Sequence, residues 1–143
     1  MRVYLDSCCY NRPFDAQHQE RIRREAEAVL AVIESAHVKI ACAPLFWELD
    51  ASTSLEKRAR VSSLLSLARY EKVDVAAFTA RVPDIAKLGF RPMDSAQLAC
   101  AELVAADWFL STDDRLLRRA ARVAGSLKVA VANPADWVLT HLA

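Results

Sequence analysis

A chain of 143 residues in which 54% are apolar and only 2 are glycine is long enough to bury a real core, and residues 1–143 are expected to form one domain. That composition excludes disorder and fibrous repeats, and the scarcity of glycine leaves no phosphate loop of the GxGxxG or Walker kind. A net charge of +1 excludes a polycation that coats nucleic acid but leaves local contact with a few phosphates open.

Val3-Tyr4-Leu5 reads as a short strand close to the N-terminus that runs straight into Asp6-Ser7. Asn11-Arg12-Pro13 then forces a loop, since Pro13 disfavours helix at Arg12. A long helix follows from about Ala16 to Ala36. Ile22, Ala26, Val29, Leu30 and Ile33 line one face, and Arg21, Arg23, Arg24 and Glu27 form a solvated opposite face. Val38 to Cys42 is the second strand, ended by Pro44. Leu45 to Asp50 is expected to be helical and sets Glu48 among large apolar neighbours, either as an exposed residue or as a buried functional acid. Leu55 to Tyr70 reads as a further amphipathic helix with Val61, Leu64, Leu65 and Ala68 inside. Val73 to Val75 is a short strand in this reading. Thr79 to Leu88 is a helix with Pro83 near its first turn and Gly89 as its stop.

Phe90 to Leu117 is the stretch richest in signals. Pro92 and Asp94 open a helix with Ala96, Ala99, Cys100 and Leu103 on one side. Trp108-Phe109-Leu110 reads as a buried strand. Ser111-Thr112-Asp113-Asp114 is N-cap chemistry for a second helix that packs Leu116, Leu117, Ala120 and Ala124. Leu127 to Val131 is a last strand, and Asn133-Pro134 opens a short helix from Ala135 to Leu142. Strands alternating with helices define an α/β chain with a mainly parallel sheet covered on both faces.

Cys8, Cys9, Cys42 and Cys100 have neither CxxC spacing nor a pattern suited to disulfides or zinc, and read as small buried hydrophobes in a reducing cytosol. No stretch is long and apolar enough to cross a bilayer, and Asp6 interrupts any signal-peptide pattern. A cytoplasmic protein without membrane association is expected.

Asp6, Glu48, Asp94, Asp113 and Asp114 all stand at strand ends or helix starts, and in an open parallel sheet the strand ends are where ligands bind. At an effective dielectric of about 20, two like charges about 4 Å apart cost roughly 4 kcal/mol. Carboxylates meeting at one edge must therefore be protonated, paired with cations or bound to metal. Arg115 is the one basic residue inside these motifs, which favours a divalent metal, and all-oxygen ligands select Mg²⁺ or Mn²⁺ over zinc. Such a centre suits attack of water on a phosphodiester. Taken singly, Asp113 serves equally as a helix cap and Asp94 as a carboxylate favoured by the helix dipole, whereas Asp6 has no obvious partner.

The pieces VYLDSCCYN, PLFWELD, PMDSAQLACAEL and FLSTDDRLL, in this order, resemble the PIN domain found in VapC-like toxins of bacterial toxin–antitoxin pairs, over essentially the whole chain. The resemblance implies a three-layer α/β/α sandwich and a metal-dependent endoribonuclease, the toxin component of a type II toxin–antitoxin system. It implies catalytic roles for Asp6, Glu48, Asp94 and Asp113, with one or two Mg²⁺ (or Mn²⁺) ions on Asp6, Asp94 and Asp113. Ser111, Ser7 and Asn11 match polar positions that support the acids. The Ser/Thr-x-Asp register selects Asp113, with Asp114 in reserve. Gln97 stands where the family often has His, which leaves metal binding intact and weakens a proton-shuttle role at that position. Arg12 and Arg115, close in sequence to the acids, are candidates for gripping flanking phosphates of an RNA substrate.

A cognate antitoxin and a homodimer are further implications of the resemblance. Phe46, Trp47, Leu64 and Leu65 are candidates for a groove that accepts a partner helix, with core packing the plainer role for most of them. A haloacid-dehalogenase-like phosphatase needs a second Asp where Cys8 stands, and a low-molecular-weight cysteine phosphatase needs an Arg where Phe14 and Asp15 stand. Both fail on those residues. The standing alternative is a catalytically inactive PIN-like module that binds RNA or protein.

Overall fold

Apolar runs bounded by turn residues become strands here, and stretches at helical spacing pack against them. The computed structural model describes residues 1–51 and 54–142. The order is β1 (Arg2–Leu5), α1 (Ser7–Asn11), a 3₁₀ turn at Arg12–Phe14, α2 (Glu20–Glu34), β2 (Val38–Ala41), α3 (Ala43–Asp50), α4 (Leu55–Leu65) and β3 (Arg69–Tyr70). It continues with α5 (Val75–Ala86), α6 (Pro92–Leu103), β4 (Trp108–Leu110), α7 (Asp114–Arg122), a 3₁₀ turn at Ala124–Ser126, β5 (Ala130–Ala132) and α8 (Pro134–His141). Every strand pairing is parallel and the sheet order is β3-β2-β1-β4-β5. Helices cover the sheet in an α/β/α arrangement, α2 packing along α8 and α5 along α6.

β1 occupies the centre because Val3, Tyr4 and Leu5, after Arg2 at its edge, are apolar. Val3, Tyr4 and Leu5 have no exposed surface, and neither have Phe109 and Leu110 of β4, as strands covered on both faces require. Tyr4 stacks on Phe109 with ring centroids 5.6 Å apart. Truncating a side chain such as Leu110 to Ala would cost ~2–5 kcal/mol. α6 is buried without interruption from Ser95 to Ala101, because its small residues let neighbours approach on every side. Ala105 closes that helix in the left-handed region (φ 54°), with the Ala106 N–H donating to the Ala101 carbonyl at 2.9 Å, a stop that glycine would make at roughly 1 kcal/mol less strain.

This winding prepares a site. The strand order reverses between β1 and β4, and the C-terminal ends of those two strands flank the crevice in which open α/β sheets take ligands. Leu5 pairs with Leu110, so the residues that follow them, Asp6 and Ser111, stand side by side.

Several local expectations are corrected. Where a loop is expected at Asn11-Arg12-Pro13, Asn11 ends the helix α1 and Arg12–Phe14 form a 3₁₀ turn, and α2 begins at Glu20 rather than near Ala16. Leu30 is 38% exposed, so it lies off the buried stripe of α2. The helix starting at Leu55 stops at Leu65, and Arg69–Tyr70 forms the edge strand in place of Val73 to Val75. Both residues of that strand are exposed, so no apolar alternation marks it. α5 starts at Val75 because Asp74 caps it, accepting from the Ala77 N–H at 2.9 Å; Pro83 consequently lies inside the helix near its end. β5 sits at Ala130–Ala132 rather than Leu127 to Val131.

Candidate active site

Five elements deliver acids or hydroxyls to one edge of the sheet. Asp6 leaves β1 and caps the short α1, its Oδ1 accepting from the Ser7 N–H at 2.8 Å. Its other oxygen accepts from the Ser111 hydroxyl at 2.9 Å, and Ser111 Oγ in turn accepts from the Asp113 N–H at 3.1 Å. The Ser7 hydroxyl has a single proton and gives it to Glu48 Oε2 at 2.6 Å. Glu48 Oε1 accepts from Gln97 Nε2 at 2.8 Å, and Gln97 Oε1 accepts from the buried Tyr4 hydroxyl. The result is one continuous belt: Tyr4, Gln97, Glu48, Ser7, Asp6, Ser111, Asp113.

Asp94, in the first turn of α6, faces the same space. Desolvation, then Asp113, then Glu48 push its carboxyl up to about 6, against a partial downward pull from Arg91. Asp6 is 4% exposed and is raised well above the usual carboxylate range, first by burial and then by Cys8, Glu48 and Asp94, with the Ser111 hydroxyl opposing. Glu48 and Asp94 both bear on Asp6, and Asp113 and Glu48 both bear on Asp94. Among the described residues none of them forms an ion pair with a basic side chain.

The paired acids after β4 have different surroundings. Asp113 caps α7 through Oδ1, which accepts from the Arg115 and Leu116 N–H groups at 2.9 and 3.4 Å, and it bears on Asp94. Asp114 is half exposed and forms a two-pronged pair with Arg21 at 2.6 and 2.8 Å, which holds its carboxyl below the usual range. Asn11 donates to the Ser7 carbonyl at 2.9 Å and steadies the turn that carries Ser7. Arg12 is turned into ion pairs with Asp15 and with the buried Glu25 at 3.2 Å each. Arg115 is exposed on α7 and lines a pocket together with Asp94.

Three participants have no role in the sequence reading. Gln97 enters there as a departure from a family position, yet its two-ended amide joins Tyr4 to Glu48. Tyr4 reads as plain strand core. Cys8 counts among buried hydrophobes, but its sulfur lies 3.4 Å from both Asp6 Oδ2 and Ser111 Oγ and accepts from the Thr112 N–H at 3.3 Å. Contacts from the Cys9 thiol, Ser111 and Thr112 hold the Cys8 thiol down to about 6 against the upward effect of burial. Its place two residues beyond Asp6, within one turn of helix, is the sequence signal. All four cysteines are free thiols.

The architecture is the PIN-like α/β/α fold, as the motifs imply. A chain of VapBC2 from Rickettsia felis, solved bound to a DNA fragment from their promoter, matches at a TM-score of 0.60 and 11% identity, over 93% of this chain and 98% of that one. A chain of VapBC-1 from nontypeable Haemophilus influenzae matches at 0.61 and 12%, over 94% and 98%. No protein-family model and no curated protein matches the sequence. No helix among the described residues is long and apolar enough to cross a membrane.

Proposed function

We propose that this chain is a Mg²⁺- or Mn²⁺-dependent endoribonuclease acting in the cytoplasm as the toxin of a type II toxin–antitoxin pair. The observation that carries the reading is the belt of acids at the sheet's switch point, tied together by neutral donors and, among the described residues, free of any direct ion pair with a basic side chain. The chemistry of the donors suits a hard divalent ion, since carboxylate oxygens dominate the set. Among the described residues no three His, Cys, Asp or Glu side chains stand together closely enough to hold a metal ion by themselves. Magnesium is commonly held by one or two carboxylates, with waters filling the rest of its shell.

Asp6, Asp94 and Asp113 would hold the ion, which when bound supplies Lewis acidity toward a phosphodiester oxygen. Glu48, fixed at both oxygens by Ser7 and Gln97, orients the attacking water. Ser111 fixes Asp6 against the start of α7. Asp94, raised to about 6 by burial, Asp113 and Glu48, would give up its proton to a bound dication, whose charge offsets that repulsion. Tyr4 is kept neutral by burial and acts as a fixed donor behind Gln97. Cleavage of RNA in Mn²⁺ by the wild type and by Asp6→Asn tests the assignment; equal activity in the two removes Asp6 from catalysis.

A second reading, an inactive PIN-like module binding RNA or protein, is favoured by the lack of a preformed cage. Calorimetric Mn²⁺ titration separates the two, because such a scaffold has no specific ion site. For an antitoxin, the fitting surface is a groove of about 420 Å³ lined by Trp47, Tyr70, Val75 and Phe78. Trp47 is 51% and Val75 75% exposed there, whereas Leu65 is buried in the core. Pairing of two copies of the chain completes the proposal, with sedimentation as its check.

A further inference from the structure

α7 carries arginine at positions 115, 118, 119 and 122, the spacing that lines up one face of a helix, while Leu116 and Ala120 are buried. Arg91, at the N-cap of α6, faces this row across a cavity of about 140 Å³ that Asp94 also lines. Among the described residues none of these five guanidiniums has a carboxylate partner, in contrast to Arg2, Arg12, Arg21, Arg60, Arg69 and Arg81, each of which has one. Five like charges around a small cavity repel one another and are relieved by a bound anion.

One of them is seated by the backbone. Gly89 has φ +104°, and a Cβ built there would stand 2.9 Å from Arg119 Nε and 3.0 Å from its Cζ. The Arg119 guanidinium therefore lies against a position that has room for it only because no side chain is present. A planar guanidinium presents forked donors matched to phosphate oxygens. Arg115 to Arg122 spans about 10 Å of helix, enough for more than a single phosphate. The row begins beside the carboxylates and leads away from them.

We infer that Arg91, Arg118, Arg119 and Arg122, together with Arg115, form a backbone grip that holds phosphates of a single-stranded RNA on one side of the cut without reading its bases. The inference rests on the RNA-cleaving reading of the acid cluster. Phosphate contacts position a strand and carry no sequence information, so the grip sets affinity while the bases near the acids set any preference.

The experiment uses the full chain and a fluorescein-labelled single-stranded RNA of mixed sequence, with anisotropy read in EDTA so that binding is separated from cleavage. For the Arg118→Ala/Arg119→Ala/Arg122→Ala variant, affinity falls about tenfold or more and the slope of log affinity against log salt shrinks by about 2, roughly 0.7 for each lost contact. The matching Lys variant keeps the slope and loses part of the affinity, and the exposed Arg122→Glu alone lowers affinity several-fold with no demand on folding. In Mn²⁺ the Ala variant raises KM with kcat little changed, and its cut positions stay the same. Unchanged affinity and slope in both the Ala variant and Arg122→Glu overturn the grip, and do so even if the wild type cleaves RNA. A wild type that cleaves no RNA but shows the slope loss keeps the anion site and removes the nuclease reading.

Discussion

Asp6 and Glu25 are buried to nearly the same degree, 4% and 2% exposed, but their surroundings are opposite. Glu25 on α2 is held between the guanidiniums of Arg12 and Arg21 at 3.2 and 3.4 Å and accepts from Asn133 Nδ2 at 2.6 Å. Its charge is answered within the fold, and it ties the turn after α1 and the start of α8 to α2. Among the described residues Asp6 is answered only by the Ser111 hydroxyl and the Ser7 backbone N–H, with the Cys8 sulfur beside it and more acids beyond. Burial of a carboxylate therefore identifies no function by itself; what separates a site from a strut is whether the protein supplies the countercharge.

The largest expected effect breaks the comparison at Asp6. Asp6→Asn should lower Mn²⁺-dependent RNA cleavage by roughly 10²–10⁴-fold while the protein stays folded, because it removes an unanswered charge. Circular dichroism melting alongside the activity assay checks both halves. Glu25→Ala should do the reverse, destabilising by ~1–3 kcal/mol because the Asn133 amide loses its buried acceptor while Arg12 and Arg21 keep Asp15 and Asp114 as partners, and sparing cleavage below the melting transition. Urea denaturation with the same assay tests it.

Gln97→Ala removes the link between Tyr4 and Glu48. Cleavage should drop about 10–100-fold, the scale of losing a residue that orients a ligand from behind, with about 1–3 kcal/mol of stability lost for the stranded Tyr4 hydroxyl. Gln97→Glu adds one more acid to the belt, so a variant as active as the wild type would contradict the role assigned to the neutral amide.

The pH dependence sharpens the comparison further. Asp94 keeps its proton up to about 6, above the value in an unfolded chain, so the metal-free protein binds more protons than its unfolded form between about pH 4 and 6. Its stability should be fully present below that window and decline by about 1–2 kcal/mol as pH rises through it, discounted because Asp94 is partly open to water. Added Mg²⁺ should then raise the melting temperature more at neutral pH than at about pH 5, where the acids are protonated. An equal rise at both would argue against binding by these carboxylates. The smallest effect is at Asp114→Asn, which breaks an exposed pair worth less than ~1 kcal/mol and should leave cleavage intact; loss of activity there would move the fourth acid from Asp113 to Asp114.

Parts of this molecule were legible in the sequence because local chemistry and tertiary packing agree. Val3-Tyr4-Leu5 of β1 and Trp108-Phe109-Leu110 of β4 are apolar runs that end in polar residues, and α6 opens on Pro92, so both strands, that helix and the acids beside them can be read directly. β3 was not legible, since two exposed residues at a sheet edge bury nothing that would leave a pattern. The arrangement of the site was legible by position and not by connection. Glu48 looked undecided because its two partners lie 41 and 49 residues away. Gln97 looked like a lost histidine because a side chain's role as a bridge depends on what stands at each of its ends.

The topology has a consequence for timing. The hydroxyl that secures Asp6 arrives 105 residues later in the chain, on a strand that inserts between β1 and β5. A ribosome-tethered chain ending before Trp108 carries Asp6, Glu48 and Asp94 but has no β4 to align them. On the proposed reading, a chain made beside messenger RNA would thus cut nothing until its last quarter is synthesised and docked.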